Sequence, residues 1–165
     1  MKKIDIVVPC YNESENIRPL YEAVKEVFDR ELPDYDFNLL LVNDGSVDSS
    51  LLTLEQLAKE DGRVKYLSFS RNFGHQLAVK AGLDHAFAPA VISMDADLQH
   101  PPALIPTLIH KWEEGAQVVA TLRTYPPEIS KNARVPNSST SCSTYFLILK
   151  SKKVRPTLDY WIRQW

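Results

Sequence analysis

Short runs of aliphatic and β-branched residues recur along the first 122 positions, separated by stretches with helical spacing. Residues 4–8, IDIVV, end at Pro9 and predict a buried strand. Ser14 is placed to cap a helix in which Ile17, Leu20, Tyr21, Val24, Val27 and Phe28 recur every three or four residues, the mark of one apolar face. A second strand, FNLLLV (37–42), is stopped by the turn NDGS. Asp48 is expected to cap a second helix running to about Lys59, with Leu52 and Leu57 inward. VKYLSF (64–69) predicts a third strand, HQLAVKAGLDHAF (75–87) a third helix and AVISM (90–94) a fourth strand. Pro101 and Pro102 suit the first turn of a fourth helix, and Gly115 ends it before a strand at 117–122, QVVATL.

Regular alternation of strand and helix is the signature of an α/β fold, a Rossmann-type, mainly parallel sheet with helices on both faces. In such sheets ligands bind beyond the carboxyl ends of the strands. The polar clusters PCYNE, NDGS, SRNFGH and DADLQ follow strands one to four in turn. One such cluster is ordinary loop chemistry, whereas four on the same edge make a site.

Composition adds a division of the chain. Residues 1–130 carry 12 basic and 20 acidic side chains, while residues 131–165 carry 7 basic and 1 acidic. The reading is therefore a domain over 1–130 and a basic, Ser/Thr-rich tail over 131–165 whose composition favours a linker or disorder. Two cysteines, Cys10 and Cys142, announce neither a disulfide framework nor a metal site, so a reducing compartment is expected. The N-terminus does not read as a signal peptide, and the late apolar run YFLIL (145–149) is far short of a membrane span. Cytoplasmic location is the expectation, with the aromatic, basic end LDYWIRQW available to touch the inner face of a membrane. Nothing in the acidic body points to nucleic acid.

The chain has no GxGxxG after the first strand and no GxxxxGK[ST], which argues against dinucleotide and P-loop sites. Asp95, Asp97 and Gln99, at the end of the fourth strand, instead offer hard oxygen ligands suited to Mg²⁺ or Mn²⁺. An isolated D-x-D more often just ends a strand; its place on this edge favours the metal. Asp44 beside Gly45 is explained by a turn or by an acceptor for a nucleobase N–H. Tyr11 either stacks on a base or covers the sheet end, and Glu13 either holds a ribose hydroxyl or belongs to a first helical turn. Arg71 is open between phosphate binding and structural ion pairing. His75, His85, His100 and His110 share no metal-ligand spacing, and only His100 stands next to the acidic cluster.

Together, VVPCYNE, LLVNDGSVDSS, SRNFGHQLAVKAGLDHA and ISMDADLQHPP resemble the family 2 glycosyltransferases over about residues 1–131. They are most similar to the branch that transfers sugars to polyprenyl phosphates: dolichol-phosphate mannose synthases, bactoprenol glucosyltransferases and undecaprenyl-phosphate aminoarabinose transferase. The resemblance implies a GT-A-like fold, a UDP- or GDP-sugar donor, a divalent metal and a polyprenyl phosphate acceptor. By position, Pro9, Tyr11 and Glu13 would line the nucleoside pocket, with Val42 and Asp44 completing the base and ribose contacts. Asp95 and Ala96 would lie against the donor, and Asp95, Asp97 and Gln99 would hold the metal. Asp97 and Arg123 would serve catalysis, Arg123 near the donor or acceptor phosphates.

Beyond about Lys131 the chain leaves the family pattern, so the fold is expected to be incomplete at its C-terminus, without the acceptor half. Impaired transfer with retained donor binding is the first functional expectation. A non-catalytic nucleotide-sugar-binding or regulatory module is the second. A phosphohydrolase using Asp95 as nucleophile is a weaker third, because no activating lysine can be placed.

Overall fold

The computed structural model describes residues 1–99 and 101–121, together with a strand at 145–147. Among them, six strands form one sheet: β1 (Lys2–Cys10), β2 (Tyr35–Asn43), β3 (Val64–Ser68), β4 (Ala90–Ser93), β5 (Val119–Thr121) and β6 (Tyr145–Leu147). Their order is β3-β2-β1-β4-β6-β5. Strands β1 to β4 pair in parallel, and β6 runs antiparallel to both β4 and β5. The connections carry α1 (Ser14–Glu31), α2 (Ser50–Glu60), α3 (His75–Asp84) and α4 (Ile105–Glu113), the last entered through a 3₁₀ turn at Pro102–Leu104. The mainly parallel α/β sheet expected from the alternation is therefore what forms.

Side-chain alternation along the strands divides two packed layers. Ile4, Ile6, Val8 and Cys10 of β1 and Phe37, Leu39 and Leu41 of β2 join one cluster with Ile17, Leu20 and Val24 of α1, Leu54 and Leu57 of α2, and Leu108 and Ile109 of α4. Val7 and Val42 point to the opposite face, where α3 lies against them. The approach there is close because α3 presents Gly82. A Cβ at that position would overlap Val7 Cγ1 and stand 3.2 Å from Val42 Cγ2. Gly82→Ala is thus expected to destabilise the fold by about 1–3 kcal/mol through overpacking, despite alanine's better helix propensity. A urea midpoint at or above that of the parent would refute this packing account.

Several local expectations are corrected. Leu52 is 61% exposed, and Leu54 is buried with Leu57 in its stead. Residues five apart on a helix are rotated by about 140°, so Leu52 and Leu57 cannot both face the sheet. Asp48 does not occupy the N-cap, which is Ser49, but its Oδ1 accepts from Ser50 N–H at 2.9 Å and its Oδ2 from Ser14 N–H at 3.3 Å. One carboxylate thereby serves the starts of two helices. Ser14 is itself the first residue of α1, following Glu13 as N-cap. The third helix stops at Asp84, short of Phe87, because Phe87 and Ala88 donate their backbone N–H groups to the buried Asp5 carboxylate instead. Strand β5 is shorter than the 117–122 run. The sequence pattern predicts no strand beyond residue 122, yet β6 pairs Phe146 with both Ser93 and Ala120. The rest of the tail, with Arg123 and His100, lies outside the described residues. No helix among the described residues is long and apolar enough to cross a membrane.

Candidate nucleotide-sugar site

The four parallel strands end on one edge, and a lattice of hydrogen bonds ties their loops together. Asp44 N–H donates to Cys10 C=O at 2.8 Å, and Phe69 N–H to Asn43 C=O at 2.9 Å, joining the ends of β1, β2 and β3. Asn12 adopts a left-handed φ of 56°, which Asn tolerates better than most residues. Its N–H donates to Ser46 Oγ and its Oδ1 accepts from Val47 N–H, both at 2.9 Å. Glu13 N–H donates to Ser50 Oγ at 2.9 Å, and the Glu13 carboxylate accepts from Asn16 Nδ2 at 2.6 Å. These bonds hold Tyr11, 45% exposed, at the mouth of the edge.

A cavity of about 290 Å³ opens there. From the predicted site, Pro9, Tyr11, Glu13, Asp44, Asp95, Ala96 and Asp97 line it. Cys10, Asn72, Gly74 and His75 line it too. None of these four is among the site residues expected individually, although they lie in the polar clusters PCYNE and SRNFGH. Val42 does not reach the cavity: it is fully buried in β2, facing α3. Gln99 is exposed outside the lining, and its N–H donates to Asp97 Oδ1 at 3.0 Å. Leu98, at φ 57°, makes the sharp turn that brings that N–H back. Such a conformation is costly for a bulky side chain, and strain of this kind clusters at ligand sites.

The described lining of the cavity is acidic. Glu13, Asp44, Asp95 and Asp97 contribute carboxylates to a lining that contains no Lys or Arg among the described residues. His75 Nε2 lies 3.8 Å from Asp95 Oδ1, with both side chains substantially open to solvent. Burial pushes the Cys10 thiol up to about 12, so it lies against the cavity as a neutral apolar surface rather than a nucleophile. Among the described residues, no group of three or more His, Cys, Asp and Glu is arranged to hold a metal ion. Two carboxylates at the rim still fit Mg²⁺ or Mn²⁺, which take one or two protein carboxylates and complete their shell with phosphate oxygens and water.

The family model for glycosyl transferase family 2 matches residues 5–162. The chain belongs to glycosyltransferase family 2. The family match runs on to residue 162 and so corrects the expectation that the chain leaves the family pattern beyond about Lys131. An uncharacterized glycosyltransferase of Bacillus subtilis, YkcC, is 50% identical over 119 residues, covering 72% of this chain and 36% of the relative. The bactoprenol glucosyl transferase of Shigella phage SfV is 46% identical over 121 residues, covering 73% of this chain and 39% of the relative. The chain thus spans little more than a third of the length of these curated relatives. The fold is also that of a mannosyltransferase from Pyrobaculum calidifontis in complex with GDP-Man and Mn²⁺, with a TM-score of 0.59 at 22% identity over 78% of this chain and 37% of that one. Glucosyl-3-phosphoglycerate synthase from Mycobacterium tuberculosis, in complex with Mn²⁺, UDP and phosphoglyceric acid, gives a TM-score of 0.56 at 23% identity over 71% and 42%. The family 2 domain is accordingly GT-A-like.

Proposed function

We propose that the cavity binds a UDP- or GDP-sugar with Mg²⁺ or Mn²⁺, and that the whole protein passes the sugar to a polyprenyl phosphate. The observation that carries the reading is a lining with four carboxylates and no Lys or Arg among the described residues. A divalent cation accompanying a nucleoside diphosphate would offset its repulsion by those carboxylates. Pro9, Tyr11 and Glu13 receive the nucleoside, Tyr11 against the base and Glu13 at the ribose. Val42, buried in β2 outside the lining, would serve the pocket only through the strand that leads to Asp44. Asp44 has two of its roughly four lone-pair positions engaged by backbone N–H groups, leaving acceptor capacity for a base N–H. Asp95 and Ala96 lie along the diphosphate, and Asp95, Asp97 and Gln99 supply oxygens to the ion. When bound, the metal offsets charge on the departing diphosphate.

The relatives named for bactoprenol support this acceptor, and a phosphate acceptor needs no strong base. A phosphate monoester is largely ionised near neutral pH, with a second pKa of about 6. Its oxygen forms the new bond to the anomeric carbon while the bond to the diphosphate breaks, the electron pair leaving with the β-phosphate. Arg123 is assigned to those phosphates.

The second reading is a binding module without turnover. A radiolabelled UDP- or GDP-sugar, mixed with short-chain polyprenyl phosphate and Mn²⁺ and then extracted into organic solvent, separates the two. The 165-residue polypeptide alone is expected to bind donor but to transfer slowly, because in-line positioning of the acceptor can supply about 7–11 kcal/mol of the barrier. Lipid-linked product at about 1 per second or faster would show that these residues suffice for catalysis.

A further inference from the structure

We propose that Asp44 and Gly45 form a clasp that holds the Asn72–His75 wall of the cavity, making Asp44 a positioning residue as well as a lining one. The effect on nucleotide affinity rests on the donor-binding reading above; the clasp itself does not. Asp44 is 3% exposed, and its Oδ1 accepts from Phe73 N–H at 2.7 Å while its Oδ2 accepts from Gly74 N–H at 2.9 Å. Two adjacent amides of one loop are thus bound by the two oxygens of a single buried carboxylate on another. Beside it, Gly45 has φ 66°, and a Cβ there would overlap the Arg71 carbonyl carbon and stand 2.5 Å from Asn72 N. The second loop can therefore lie directly on the backbone of the third only because this position has no side chain.

On its outer side the wall is braced by Phe73, whose ring meets Phe69 edge-on at 5.5 Å and carries the Arg71 guanidinium at 4.6 Å. Arg71 is thereby engaged as a brace, and it is absent from the cavity lining. Asp44 and Gly45 fasten the inner side. Asn72, Gly74 and His75, which face the ligand space, owe their position to a turn of β2 about thirty residues earlier in the chain.

Two variants of the 165-residue chain test this. Asp44→Asn replaces one acceptor with a donor facing an N–H, whereas Gly45→Ala keeps the carboxylate and pushes Arg71 and Asn72 away. In the parent without nucleotide, the Phe73 and Gly74 amides are expected to be protected from hydrogen exchange. Exchange at the rate of an unstructured peptide would overturn the clasp whether or not any variant folds. Each variant is expected to speed exchange at both amides about tenfold or more, leaving Val8 and Leu41 in the sheet unchanged. Calorimetry with UDP and GDP in Mn²⁺ should show both variants about tenfold weaker or worse. A Gly45→Ala protein that binds like the parent while Asp44→Asn does not would mean that Asp44 acts by direct contact alone, and would overturn the proposal. A parent that binds neither nucleotide would refute the donor reading instead, with the exchange data still deciding the clasp.

Discussion

Removing divalent metal is expected to weaken UDP or GDP binding at least about a hundredfold, a loss of about 2.7 kcal/mol. The cavity carries Glu13, Asp44, Asp95 and Asp97 and no Lys or Arg among the described residues. Like unit charges 5 Å apart repel by about 3 kcal/mol at an effective dielectric constant of 20. A diphosphate brought up to the Asp95–Asp97 rim without a cation meets that repulsion from more than one carboxylate. A bound Mn²⁺ would be held by the same oxygens and would offset that repulsion. Asp97→Asn should therefore reproduce much of the effect of chelation, because it removes the charge while keeping the acceptor for Gln99 N–H. His85→Gln, at the exposed far end of α3, should bind as the parent does. Calorimetry with EDTA and then with added Mn²⁺ gives the answer. Equal affinity in both would remove Asp95, Asp97 and Gln99 from metal binding and leave the acidic edge without an explanation.

Asp5→Ala is expected to be the most destabilising single change outside the site, by about 3 kcal/mol or more. Asp5 is buried in β1, where its Oδ1 accepts from Asn38 Nδ2 at 2.7 Å and its Oδ2 accepts from Phe87 N–H at 2.6 Å and Ala88 N–H at 2.8 Å. Truncation leaves three donors without their acceptor, and each buried unsatisfied group costs about 1–3 kcal/mol. For a domain of this size the melting temperature should fall by about 6–12 °C. The consequence reaches the site, because the bonds from Phe87 and Ala88 close the turn between α3 and β4. Strand β4 then pairs Asp5 with Val91 and runs on to deliver Asp95 and Asp97. An unchanged melting temperature would show that water satisfies these donors and that Asp5 does not anchor the turn.

The layered α/β architecture was legible in the sequence because burial writes a period into it. Ile17, Leu20, Tyr21, Val24, Val27 and Phe28 are all buried on α1, as their spacing required. The edge that bears the site was legible for the same reason: once the strands are parallel, every loop that follows one must emerge on the same side. What the sequence could not decide depended on contacts between distant segments. Leu52 and Leu54 are equally apolar, and only the helix phase against the sheet buries one and exposes the other. Strand β6 is three residues long and acquires its hydrogen bonds from β4 and β5, more than twenty residues away in the chain. Val42 falls within the motif, but the alternation of β2 turns its side chain to α3. Asp44 read equally well as a turn residue or a base acceptor. Local sequence holds no record that its two oxygens meet the Phe73 and Gly74 amides, nor that Gly45 is small so that Arg71 can lie against it. Periodicity determines which way a side chain faces within its own element, while its partner across the fold is fixed only when the elements pack.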